Sequence, residues 1–161
     1  MGWRMSVEDK IRQLVQPIAD ELQVEVLKVV MDGGNRSRLV KVIVDRRGGV
    51  DSDDLVRISR GLSLQMDVEN IVLGKYHLEV TTPGFDWMLQ QQSDFDRYLG
   101  DWLKVVQETP PAIEGENLGL VGQTFSIRDQ KGEVHAFSLD EVVKVTRSIN
   151  WAAISKAQKN K

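Results

Sequence analysis

Three observations predict an α+β protein built in two parts. In the first half, apolar residues at helical spacing alternate with β-branched runs. From Trp102 onward the pattern changes to short strand-like runs punctuated by turn formers. The length of 161 residues accommodates two small domains as readily as one large one, and the change of pattern favours two. The expectation is an N-terminal domain over residues 1–98, an α/β sandwich-like arrangement with helices on a small mixed sheet. A C-terminal all-β small barrel follows over 99–150, then a basic tail over 151–161.

Taken in order, Ser6 with Asp9 three residues on suits a helix start, and Glu8 and Asp9 lie favourably against the positive end of the helix dipole. Val7, Ile11, Leu14, Val15, Ile18 and Leu22 recur at spacings of three and four and form a buried face. Pro17 removes one helix hydrogen bond and predicts a kink or restart. Val24–Met31 and Leu39–Val44 are β-branched runs around a glycine-rich turn, the pattern of a β-hairpin, with Val40, Val42 and Val44 on one face. Asp51 or Ser52 caps a second helix, with Leu55, Ile58, Leu62 and Met66 on its buried side. The acids Asp51, Asp53 and Asp54 are explained by that helix start without a metal. A strand over His77–Thr81 puts Leu78 and Val80 toward the core and His77, Glu79 and Thr81 on the other side.

Thr81-Thr82-Pro83-Gly84-Phe85-Asp86-Trp87 follows. Pro83 has a fixed φ and no N–H, and Gly84 tolerates positive φ, so the chain should leave the strand and reverse here. Beyond it, Ser93–Tyr98 reads as a short helix leading to a linker at Gly100. Runs at Trp102–Glu108, Asn117–Val121, Thr124–Arg128, Val134–Phe137 and Val142–Arg147 read as strands. Pro110, Pro111 and Gly115 break the chain between the first two, and Ser138–Glu141 reads as a helical turn capped by Ser138.

The stretch Glu79-Val80-Thr81-Thr82-Pro83-Gly84-Phe85-Asp86 resembles the signature of the ribosome maturation factor RimP family, which typically reads Glu-Val-Ser-Ser-Pro-Gly-Leu-Asp-Arg-Pro-Leu. Asp45, Ser59-Arg60-Gly61-Leu62-Ser63 and Met66-Asp67-Val68-Glu69 are similar to that family's pattern at near-family spacing. The resemblance implies a non-catalytic assembly factor that binds the immature small ribosomal subunit through ribosomal protein, ribosomal RNA or both. It also implies that the second domain is an Sm-like β-barrel, which the five short strands and the helical turn before the last independently resemble. This chain departs from the signature at Trp87, where the family usually has arginine. The residues Thr81, Thr82, Pro83, Gly84, Phe85, Asp86 and Trp87 are the candidate partner-binding segment. Trp87 either packs against the following domain or anchors a ribosomal protein.

A free-standing RNA-binding module is the alternative class. The net charge of −3 excludes a surface that is basic throughout, yet residues 142–161 hold no acid. Lys144, Arg147, Lys156, Lys159 and Lys161 are therefore candidate phosphate contacts, set against the plainer reading of a solvated tail. Catalysis is not expected. The two histidines, His77 and His135, lack a nucleophile motif, and neither a Gly-x-Gly-x-x-Gly nor a Walker sequence occurs. Without cysteine there is no disulfide or sulfur-bound zinc, and no cofactor or metal is expected. The absence of a long apolar run or a signal-peptide core leads to the expectation of a cytoplasmic protein without a membrane partner. The absence of a heptad pattern leads to that of a monomer.

Overall fold

The computed structural model describes residues 5–33 and 37–154. The chain divides into two compact units, Met1–Pro83 and Gly84–Lys161. The first contains α1 (Val7–Glu21), β1 (Glu25–Asp32), β2 (Arg38–Asp45), α2 (Ser52–Glu69) and β3 (Tyr76–Thr81). The hydroxyl of Ser6 accepts the Asp9 N–H at 3.1 Å and starts α1. That helix runs unbroken through Pro17 instead of restarting. Pro17 is exposed, so the carbonyl that loses its partner can turn to water.

The first sheet has the order β1-β2-β3. β1 and β2 form the expected antiparallel hairpin, whereas β2 and β3 are parallel, which requires the crossover that α2 supplies. Val40, Val42 and Val44 of the central strand meet Ile11, Val15 and Ala19 of α1 and Ile58, Leu62 and Met66 of α2 in one core. The pairing of β1 shifts between Val26 and Lys28. An extra residue there reverses the alternation, so that Val26 and Val29 both reach the core although three apart. His77 and Glu79 stand exposed, while Leu78 and Val80 pack inward.

The second unit contains α3 (Gln92–Arg97) and β4 (Trp102–Val106), β5 (Ile113–Val121), β6 (Thr124–Arg128), β7 (Val134–Ser138) and β8 (Lys144–Arg147). The strands form one antiparallel sheet of order β7-β6-β5-β4-β8. A closed barrel is not formed, since β7 and β8 lie at opposite edges. The physical reason lies at β8, whose outer side is taken up by the segment before α3: the Leu89 N–H donates to the Val145 carbonyl at 2.8 Å, and Met88 bridges to Thr146.

The pattern reading groups residues up to 98 with the first half, but the division falls at Pro83/Gly84. Leu89, Phe95 and Tyr98 belong to the second core with Leu103, Val105, Phe125 and Ile127. Phe95 lies 5.0 Å from Phe125, ring centre to ring centre, and Phe125 stacks on Phe137 at 5.4 Å. Gly115, expected to break the chain, instead lies inside β5: a Cβ there would come within 2.6 Å of the Arg128 carbonyl oxygen, so the close approach of β6 requires glycine. Leu139–Glu141 forms the expected helical turn, but the Ser138 side chain makes no capping bond.

Candidate functional site

β3 delivers the first part of the candidate segment. Thr81 and Thr82 are half-buried, the Thr81 hydroxyl donates to the Thr82 carbonyl at 3.3 Å, and Pro83 is buried at the end of the first unit. The second unit begins with the turn itself, closed by the Trp87 N–H donating to the Gly84 carbonyl at 3.1 Å. Gly84 is not in the left-handed region that its sequence context suggested. A Cβ there would lie 2.7 Å from an oxygen of the Asp86 carboxylate, the movable end of an exposed side chain. Phe85 and Met88 are exposed at 54% and 43%, whereas Trp87 packs against the second core. The apolar surface of the segment is therefore divided between outward and inward residues.

Behind the turn lies a polar cluster centred on Asp94, buried although it carries a charge. Its carboxylate accepts the Gln90 and Gln91 N–H groups at 2.9 and 3.3 Å, the Trp87 indole N–H at 3.4 Å and the Arg97 guanidinium at 2.5 Å. The Arg97 guanidinium also lies 4.7 Å from the Tyr98 ring centre. On β8, Arg147 lies 4.3 Å from Tyr98 and 4.9 Å from Phe85, and it donates to the Gly84 carbonyl at 3.4 Å. Arg147, a candidate phosphate contact, thus holds the turn. Asn117, buried in β5, donates to the Phe95 and Tyr98 carbonyls at 3.0 Å each and ties α3 to the sheet.

Asp94, Tyr98 and Asn117 escape a reading based on periodicity. The sequence signal for Asp94 and Tyr98 is an acid three residues before an arginine inside an aromatic helix, Asp94-Phe95-Asp96-Arg97-Tyr98; Asn117 has none.

Of the other basic candidates, Lys144 is exposed on β8 and points to solvent, and Lys156, Lys159 and Lys161 lie outside the described residues. Arg46, in the glycine-rich loop after β2, pairs with Asp54 at 2.6 Å and donates to the Gly49 and Leu22 carbonyls. It clamps the loop against both helices. Asp51 caps α2 by accepting the Asp54 N–H at 2.8 Å. Tyr76 donates to Asp67 at 2.8 Å, and burial, then this bond to a carboxylate, raises its hydroxyl pKa above 10.0.

A groove of about 510 Å³ opens at the β6–β7 hairpin, with Trp102, Ile113 and Trp151 on its apolar side. Asp129, Glu133 and His135 bring ligand-type atoms within 4.8 Å of one another there. The Asp129 carboxylate is already used: it accepts from His135 at 2.8 Å and from the Lys131 and Glu133 N–H groups at 2.9 Å each. The His135 bond, then the backbone bonds, lower its pKa below 3.8. For Asp129 this is the chemistry of a hairpin turn, with its own acceptors committed to protein donors.

The described residues thus form two small units with buried polar clusters that serve architecture and with exposed turn and groove surfaces. Residues 14–86 match the family model of the RimP N-terminal domain. The match places a RimP N-terminal domain in this chain and supports the RimP family of ribosome maturation factors. The match ends at Asp86, so it spans the first unit's core and the turn. No helix among the described residues is long and apolar enough to cross a membrane.

Proposed function

We propose that this protein acts in the cytoplasm by binding the immature small ribosomal subunit and assisting its assembly, without chemistry of its own. The observation that carries this reading is the family match over residues 14–86, which takes in the Thr81–Asp86 signature. The second unit supports it as a further contact module. A helix, four strands in a meander, a single helical turn and a last strand returned beside the first is an order compatible with the Sm-like fold, read here as an open relative of the barrel.

Within this reading the segment from Thr81 to Trp87 meets the particle, with Phe85 as its exposed apolar residue. Lys144 and the basic residues Lys156, Lys159 and Lys161 supply phosphate contacts, while Arg147 acts from behind the turn.

Sedimentation of the tagged protein with small-subunit precursors, in lysate at low and at moderate salt, tests the reading. Association with that particle is expected. If about three to five cations meet phosphate, the affinity falls with a log–log salt slope of roughly −2 to −4. A protein that stays at the top of the gradient at both salts refutes the reading. One that follows any added RNA equally well would instead be a free-standing RNA module.

A further inference from the structure

We infer that the groove at the β6–β7 hairpin takes a lysine or arginine side chain from a basic, extended stretch of a partner protein. Its apolar side is aromatic. Trp151 is 67% exposed, and Trp102 and Ile113 continue the wall. Such a surface receives the methylene stem of a long cationic side chain and places its head near an indole face.

The polar side decides the sign of the guest. Glu114, Asp129 and Glu133 line the groove with Lys131 and His135, the latter paired with Asp129, so carboxylates outnumber the basic side chains. That imbalance repels phosphate and attracts a cation. Asp129 is held by His135 and two backbone N–H groups, and Glu114 accepts the Ser148 hydroxyl at 2.5 Å. Glu133 is exposed and makes no ion pair among the described residues, which leaves it to meet the incoming charge.

The walls are joined before any guest arrives. Gln130 of the hairpin hydrogen-bonds the Asn150 side chain, and the same Asn150 oxygen accepts the Ala153 N–H at 3.1 Å. The volume of about 510 Å³ suits two or three side chains of an extended segment. Basic polypeptide is also what an RNA-rich particle presents, because proteins that bind phosphate carry the counter-charge. This inference rests on the reading under Proposed function and gives that reading a second, protein-directed contact.

The test uses the isotope-labelled full chain and a capped peptide of alternating glycine and arginine, with a glutamate version and oligouridylate as controls. The arginine peptide is expected to shift the indole signals of Trp102 and Trp151 and the amides of residues 129–135. Glu133→Lys should weaken it by about tenfold and Trp151→Ala by about threefold, the scale of one exposed charge reversal and one cation–aromatic contact. Both positions are exposed, and an otherwise unchanged spectrum verifies the fold. Shifts that are absent or scattered, indifference to Glu133→Lys, or a response to oligouridylate in place of the peptide would overturn the assignment.

Sedimentation separates the two readings. If Glu133→Lys abolishes peptide binding yet associates with the particle as the parent does, the groove does not serve the particle and the inference falls while the maturation role stands. If the parent protein binds the peptide but never meets the particle, the maturation role falls and the groove chemistry survives.

Discussion

Replacing Asp94 by alanine removes the buried acceptor around which the start of the second unit is arranged. The parent carboxylate meets the Arg97 guanidinium at 2.5 Å, with the two side chains only 5% and 1% exposed, and it also receives the Gln90, Gln91 and Trp87 N–H groups. Breaking a buried pair of this kind costs about 3–5 kcal/mol, because the desolvated cation loses its counter-charge. For a unit of this size, with a urea dependence of about 1.5 kcal/mol per molar, the midpoint should fall by about 2–3 M. Asp94→Asn keeps the volume and one acceptor oxygen and should lose roughly half as much. Urea titration followed by indole fluorescence in a Trp3→Phe background reports the second unit through Trp87, Trp102 and Trp151. Amide exchange in α1 and α2 reports the first and should stay near its parent value. A loss below about 1 kcal/mol for Asp94→Ala would refute the argument. Equal loosening of both units would refute the placement of Asp94 in the second alone.

Gly115→Ala places a Cβ 2.6 Å from the Arg128 carbonyl oxygen and should destabilise the second unit by about 1–3 kcal/mol, measured by the same titration; a neutral result would mean that β5 and β6 can part without cost. Because the Asp129 pKa is lowered in the folded chain, its contribution is present above the ordinary value of 3.8 and is lost as the pH falls through the depressed one. The melting-temperature gap between parent and Asp129→Asn should therefore be constant near neutrality and close in acid, and a gap that widens in acid reverses the sign of the argument. Trp87→Ala removes an indole packed on the second core and a donor to Asp94, and should cost about 1–3 kcal/mol with little loss of particle binding. Unchanged stability with weakened binding would instead make Trp87 an anchor for a partner.

Much of the first unit was legible because its elements are amphipathic and each buries one face. Ile58, Leu62 and Met66, and Val40, Val42 and Val44, occupy the positions that spacing alone assigns to the core. The shift of pairing in β1 was not legible, because a bulge changes parity without any residue that announces it. Gly115 misled for a related reason: glycine is read as punctuation, but here it marks a place where two backbones touch. The unit boundary was hidden because α3 carries helical periodicity like the first half, while its aromatic residues pack on strands that come later. In the candidate segment, the turn could be read from Pro83 and Gly84. The partners of Arg147 could not, because Phe85 and Tyr98 are far from it in sequence and only β8 brings them together.

Trp87, where the resemblance leads to the expectation of arginine, has a local explanation in that arrangement. The side chain at this position faces Asp94, whose carboxylate already holds the Arg97 guanidinium in a site nearly closed to water. A second guanidinium there would place two cations on one buried anion and leave a net charge that the interior penalises. An indole supplies one N–H without charge and fills the remaining space with apolar surface that the second core can cover. The turn keeps its own closing bond from Trp87 to Gly84, and Arg147 holds the same Gly84 carbonyl from the β8 side. The cation of this region is therefore provided from β8, by Arg147 behind Phe85. In the proposed role of the segment, the exposed Phe85 ring and the groups around it are the contact surface, more than residue 87.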